Sequence, residues 1–95
     1  MTYLKVEWLH DFDDEPIEIL SELDSRRREI RKVERFRDGT LTFAGSEGTS
    51  GSTMLSEAPL PPLKEIASDP QFRPQTIGKE AFEHRWKAAT MSVAA

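Results

Sequence analysis

The feature that most constrains this chain is the pair Asp38-Gly39. It lies between Arg31-Lys32-Val33-Glu34-Arg35-Phe36 and Thr40-Leu41-Thr42-Phe43. Asp-Gly between two runs rich in β-branched and aromatic residues marks a tight hairpin, because its turn needs positive φ. The chain must therefore build an antiparallel sheet around this point. The upstream arm is irregular. Ile30, Val33 and Phe36 recur every three residues, which is helical spacing. Continuity into the turn favours a strand over 29–37 with a bulge that interrupts alternation. Residues 40–44 are the returning strand.

Two strands precede this hairpin. In residues 3–10, Leu4, Val6 and Trp8 fall on one face and Lys5 and Glu7 on the other, the pattern of a half-buried strand. Residues 11–16 are an Asp-rich connection closed by Pro16. Residues 16–23 give a second strand, with Ile17, Ile19 and Leu23 on one face and Glu18, Leu20 and Glu22 on the other. Asp24-Ser25 is the turn that follows.

After the hairpin the chain changes character. Residues 45–52 read GSEGTSGS, with no apolar side chain. They predict a mobile connection that extends to residue 58. Pro59, Pro61 and Pro62 stiffen the approach to a short helix over 63–68, and Pro62 suits its first turn. Asp69-Pro70 ends that helix, and Pro74 keeps the chain extended up to Thr76. Gly78 is the expected cap of a final helix over 79–89. Ile77 and Phe82 occupy the two positions of a hydrophobic staple, and Phe82 and Trp86 share a face. Residues 91–95 read as a frayed tail.

The predicted fold is a single α+β domain: a four-stranded antiparallel β-meander with two C-terminal helices packed on one face. The sheet covers 3–44, the flexible loop 45–58 and the helical part 59–90. The expected core is Leu4, Val6, Trp8, Ile17, Ile19, Ile30, Phe36, Leu41, Leu63, Ile66, Phe82 and Trp86.

YLKVEWLHD at 3–11, SELD at 21–24, IRKVERFRDG at 30–39, PLPPLKEIASDPQFRP at 59–74 and EAFEHRW at 81–87 occur in that order. In this order they resemble a family of short bacterial domains of unknown function, common in actinobacteria. The resemblance covers nearly the whole chain. It implies a compact domain with a sheet and two C-terminal helices, and no catalytic residues to transfer.

Charge is unevenly spread. Residues 1–25 carry eight acids and one base, and residues 26–37 carry seven Arg or Lys and two Glu, in a chain of net charge −4. If the second and third strands pair, acids face bases across the sheet, which sets register and adds modest stability. Asp11, Asp13, Asp14, Glu15 and Glu18 are the candidate partner-docking residues, because clustered acids steer onto a basic partner. The alternative is the basic strand, with Arg27, Arg28, Arg31 and Arg35 contacting the phosphates of a nucleic acid. Against it stand the net charge and the split of a strand's side chains between two faces.

Catalysis and metal binding lack parts. The chain has no Cys, so thiolate zinc sites, disulfides and cysteine nucleophiles are excluded. It has no GxSxG elbow and no phosphate-cradling loop ahead of a helix. His10-Asp11-Phe12-Asp13-Asp14 offers oxygen and nitrogen donors, but without the glycine and distal Glu of a calcium loop, and His84 lies far along the chain. No metal and no cofactor is expected. No apolar run reaches membrane-span length and no secretion signal is present, so a cytoplasmic protein without membrane contact is expected. The preferred function is a non-catalytic protein-binding module, of the kind used as an immunity-type or anti-defence inhibitor in competition between bacteria and phages. A weak nucleic-acid-binding regulator comes second and a small enzyme third.

Overall fold

The computed structural model describes residues 1–91 and is α+β. Its strands are β1 (Thr2–Trp8), β2 (Glu18–Leu23), β3 (Glu29–Arg35), β4 (Leu41–Gly45), β5 (Gly48–Thr49) and β6 (Phe72–Ile77). Its helices are α1 (Leu63–Ala67) and α2 (Lys79–Met91). The strands form one antiparallel sheet in the order β5-β4-β3-β2-β1-β6, so the sheet has six strands rather than four. The two additions lie at its edges. The expected frayed tail falls outside the described residues except for Met91, which ends α2.

The hairpin at Asp38-Gly39 forms as its residues dictate. Gly39 takes φ of 91°, Asp38 Oδ1 accepts from the Thr40 N–H at 2.9 Å, and the Phe36 N–H donates to Thr40 O at 2.9 Å. The bulge in the upstream arm is at Ile30. Glu22 pairs with Arg31 and Leu23 with Glu29, so Ile30 is the extra residue that breaks alternation there, while the ladder from Lys32 to Arg35 is regular.

Both faces of the sheet are covered, by different parts of the chain. On one face α2 packs Phe82 and Ala89 against Tyr3, Leu20 and Val33, with Leu41, Phe43, Ile77 and Trp86 around them. The other face carries Leu4, Leu23 and Ala44, all fully buried. It is covered by residues 53–62 and α1, whose Ile66 faces the same groove as Val6 and Ile19. The two helices therefore do not share a face. The reason is topological. β5 and β6 lie at opposite edges, so the connection between them must cross the sheet, and it crosses opposite α2.

The core differs from expectation accordingly. Leu4 and Phe82 are buried, whereas Val6, Trp8, Ile17, Ile19, Ile30, Phe36, Leu41, Leu63, Ile66 and Trp86 are only half-buried. Tyr3, Leu20, Leu23, Val33, Ala44 and Ala89 complete the buried set. Leu20, placed by its glutamate neighbours on a polar face, is 2% exposed because that face lies beneath α2.

Candidate functional site

The basic strand is spent on holding the fold together. Facing α2, Arg31 bonds Glu22 through Nε at 2.6 Å and Nη2 at 3.0 Å, and Nη2 also bonds Glu83. Its guanidinium carbon sits 4.9 Å from the Phe82 ring centroid and 5.0 Å from that of Trp86. Hydrogen bonding to Glu22 raises its pKa further above the usual arginine range, against the opposing effect of burial. Arg35 pairs with Glu18 at 3.3 Å, as strand register demands, and Arg85 of α2 and Lys5 of β1 join the same carboxylate. Burial pushes the Glu18 carboxyl up, but hydrogen bonds from Arg85 and Arg35 outweigh it and hold the pKa below the usual value. Glu22 is likewise lowered, chiefly by Arg31, against burial, with help from the Tyr3 hydroxyl that donates to it at 2.9 Å.

Arg27, Arg28 and Lys32 hold the crossing segment. Arg27, with φ of 63° in a turn capped by Asp24, donates from Nε to Leu60 O at 2.9 Å and from Nη2 to Pro61 O at 2.7 Å. Arg28 donates to Glu57 O at 3.2 Å and Lys32 to Met54 O at 3.0 Å. Lys32 also pairs with the buried Glu29, which accepts from Ser21 Oγ at 2.7 Å and from the Ser56 N–H at 2.6 Å. No buried side-chain polar atom among the described residues lacks a partner. All four alternative binding residues, Arg27, Arg28, Arg31 and Arg35, thus have internal bonds.

The acidic candidates divide. Glu18 is 5% exposed beneath its three cations, so it does not belong to a docking surface. Asp11, Asp13, Asp14 and Glu15 are all exposed in the β1–β2 loop. None of the four makes an ion pair among the described residues.

That loop is ordered by its own aromatic groups. The His10 ring lies 4.4 Å from Trp8 and 5.4 Å from Phe12, centroid to centroid. The Phe12 N–H donates to His10 Nδ1 at 3.0 Å, which leaves the ring proton on Nε2 to donate to Pro16 O at 2.7 Å. The Trp8 N–H closes the loop onto Ile17 O at 2.9 Å, and Arg37 Nη2 donates to His10 O at 2.7 Å. A loop held this way has little conformational freedom left to lose. Its exposed apolar groups, Phe12 and Leu9, were missed as candidates. The signal was a large hydrophobe inside a run of acids.

Two hollows flank the loop. On the hairpin side, Asp13 and Asp14 face Phe36, Asp38, Thr40 and Thr42 across a groove of about 280 Å³. On the α2 side an open cleft of about 490 Å³ is floored by Glu7, Glu18 and Arg35, with His10 and Arg37 as walls. No group of three or more His, Cys, Asp or Glu among the described residues is arranged to hold a metal ion.

The β6 edge of the sheet is a poor template for a partner strand. The Leu9 N–H donates to Gln71 O at 2.7 Å, which sets the phase of the β1–β6 ladder. In that phase the backbone N–H and C=O positions of Phe72, Pro74 and Thr76 face away from β1. Pro74 has no N–H, and the Phe72 N–H already donates to Asp69 O. Among the described residues no helix is long and apolar enough to cross a membrane.

The family model described as "Domain of unknown function (DUF6881)" matches residues 2–91. No curated protein and no solved structure matches the chain.

Proposed function

We propose that this chain, which belongs to the DUF6881 family of domains of unknown function, is a non-catalytic protein-binding module that docks through its β1–β2 loop onto a basic protein surface. The observation that carries this reading is the division of labour among the charges. Arg27, Arg28, Arg31 and Arg35 are bonded inside the fold, while Asp11, Asp13, Asp14 and Glu15 are exposed and free of ion pairs among the described residues. Phe12, 57% exposed beside them, supplies the apolar anchor that a ring of acids lacks, and the groove beneath Asp13 and Asp14 has room for a basic side chain. A small domain that lays acids over a partner's basic surface suits an immunity-type or anti-defence inhibitor, which acts by covering that surface. The same division weighs against the nucleic-acid reading, since a phosphate backbone would have to compete for arginines already bonded to Glu18, Glu22 and backbone carbonyls.

The test is differential capture. Wild type, Asp13→Lys/Asp14→Lys and Arg26→Glu are immobilised and exposed to lysate of the native host. A protein retained by wild type and Arg26→Glu but lost from the acid-reversed variant supports the reading. Equal retention by all three, or recovery of nucleic acid in place of protein, overturns it.

A further inference from the structure

The β4–β5 hairpin and the last turns of α2 enclose a groove of about 430 Å³ that shares no lining residue with the groove beside Asp13 and Asp14. Phe43 and Trp86 form two of its walls, with ring planes 75° apart and centroids 5.3 Å apart. Both residues are half-buried, so neither ring is sealed into the core. Gly45 seats the indole. A Cβ there would lie 2.9 Å from Trp86 Cη2, so only glycine lets the ring lie against the hairpin. Thr90, another wall, braces the helix by donating to Trp86 O at 3.0 Å.

The electrostatics of this corner favour positive charge. Trp86 already carries one cation, the Arg31 guanidinium 5.0 Å from its centroid. Arg31 is bonded to both Glu22 and Glu83, and Lys79 also acts on Glu22, so the charges of that cluster balance. Glu47, which lines the groove at the hairpin tip, makes no ion pair among the described residues and supplies the uncompensated negative charge. Lys87, the next residue of α2, is exposed and does not line the groove. Aromatic faces attract cations through their quadrupole, and they favour weakly hydrated alkylammonium groups over small inorganic ions, which surrender water reluctantly.

We propose that this groove binds an organic cation by its alkylammonium head, with Phe43 and Trp86 as aromatic walls and Glu47 as the counter-charge. The site is independent of the docking loop and stands whether or not that loop binds a protein.

Choline tests it, against its neutral isostere 3,3-dimethyl-1-butanol and sodium chloride at matched ionic strength. The readout is the indole N–H resonance of Trp86, with that of Trp8 as internal control. The expected result is a saturable shift of Trp86 with choline in the millimolar range, none with sodium and a much weaker one with the isostere. Glu47→Gln, a surface change, should weaken choline about two- to fivefold, the scale of one exposed cation contact. Phe43→Leu keeps an apolar group at that position and should weaken it at least as much. An equal response to the neutral isostere, a shift confined to Trp8, or no saturable shift of Trp86 would overturn the proposal.

Discussion

Glu18→Gln removes one charge and almost no volume, and it should be among the costliest isosteric changes in the protein. The carboxylate is 5% exposed and gathers Lys5 at 3.4 Å, Arg35 at 3.3 Å and Arg85. Removing one member of a fully buried ion pair costs about 3–5 kcal/mol, while an exposed pair contributes about 0–1 kcal/mol. The three cationic side chains are 29%, 36% and 25% exposed, so water screens them in part. Weighted between those limits, the loss is about 2–3 kcal/mol, because the amide still accepts hydrogen bonds but leaves three cations crowded without a counter-charge. For a domain of this size that corresponds to a fall in melting temperature of roughly 10–20 °C. The assay is paired thermal and urea denaturation of Glu18→Gln and Glu15→Gln. Glu15 lies in the exposed loop, and its variant should stay within about 0.5 kcal/mol of wild type. High salt should narrow the gap between the two variants by screening the freed cations. If Glu18→Gln is as mild as Glu15→Gln, the cluster is not a structural element, and Arg35 and Arg85 return as free surface charges.

Four further outcomes follow from the same contacts. Glu18 and Glu22 have folded pKa values held below the usual 4.5, so their stabilisation is complete above that value and is lost as pH falls through the lower folded values; denaturation midpoints should be flat from neutral pH down to that point and drop only below it. Phe82→Ala should cost about 3–5 kcal/mol, since the ring is 0% exposed between α2 and the sheet, and an unchanged urea midpoint would refute the packing of that helix. Arg27→Ala removes the bonds to Leu60 and Pro61, so amide exchange should rise across 54–61 while β1 and β2 stay protected; no change there would mean that the segment is held by other contacts. Duplex DNA should bind negligibly at physiological salt by fluorescence anisotropy, and a micromolar, salt-sensitive complex would revive the basic strand as a binding surface.

Local chemistry was legible and distant partnership was not. Asp38-Gly39 announces its turn because few other pairs tolerate the required φ, and the break in alternation at the start of the upstream arm reflects a single extra residue at Ile30. β6 was hidden by Pro74, which normally argues against a strand. It is tolerated because Pro74 sits at an outward-facing position of an edge strand, where no ladder bond needs its N–H. Leu20 was placed on a wet face because Glu18 and Glu22 flank it, yet those acids are neutralised by Arg85 and Arg31, one of them from a helix near the other end of the chain. Glu18 left the acidic candidate cluster for the same reason, since its exposure depends on which helix lies over it. The exposure of Asp11, Asp13, Asp14 and Glu15 follows from a polar, Pro-terminated connection and could be read directly, whereas the packing of His10 edge-on to Trp8 and stacked on Phe12 could not.

The docking account turns on encounter between the acidic loop and a basic surface, so association kinetics test it most directly. With the captured partner in hand, its association rate with wild type and with Asp13→Lys/Asp14→Lys is measured by stopped flow across a range of ionic strength. The account predicts a wild-type rate that falls steeply with salt, and a variant rate that is slower at low salt and nearly flat, with folding stability unchanged. Equal rates and equal salt slopes for the two proteins would contradict it and leave the acids of the β1–β2 loop as a solvated surface.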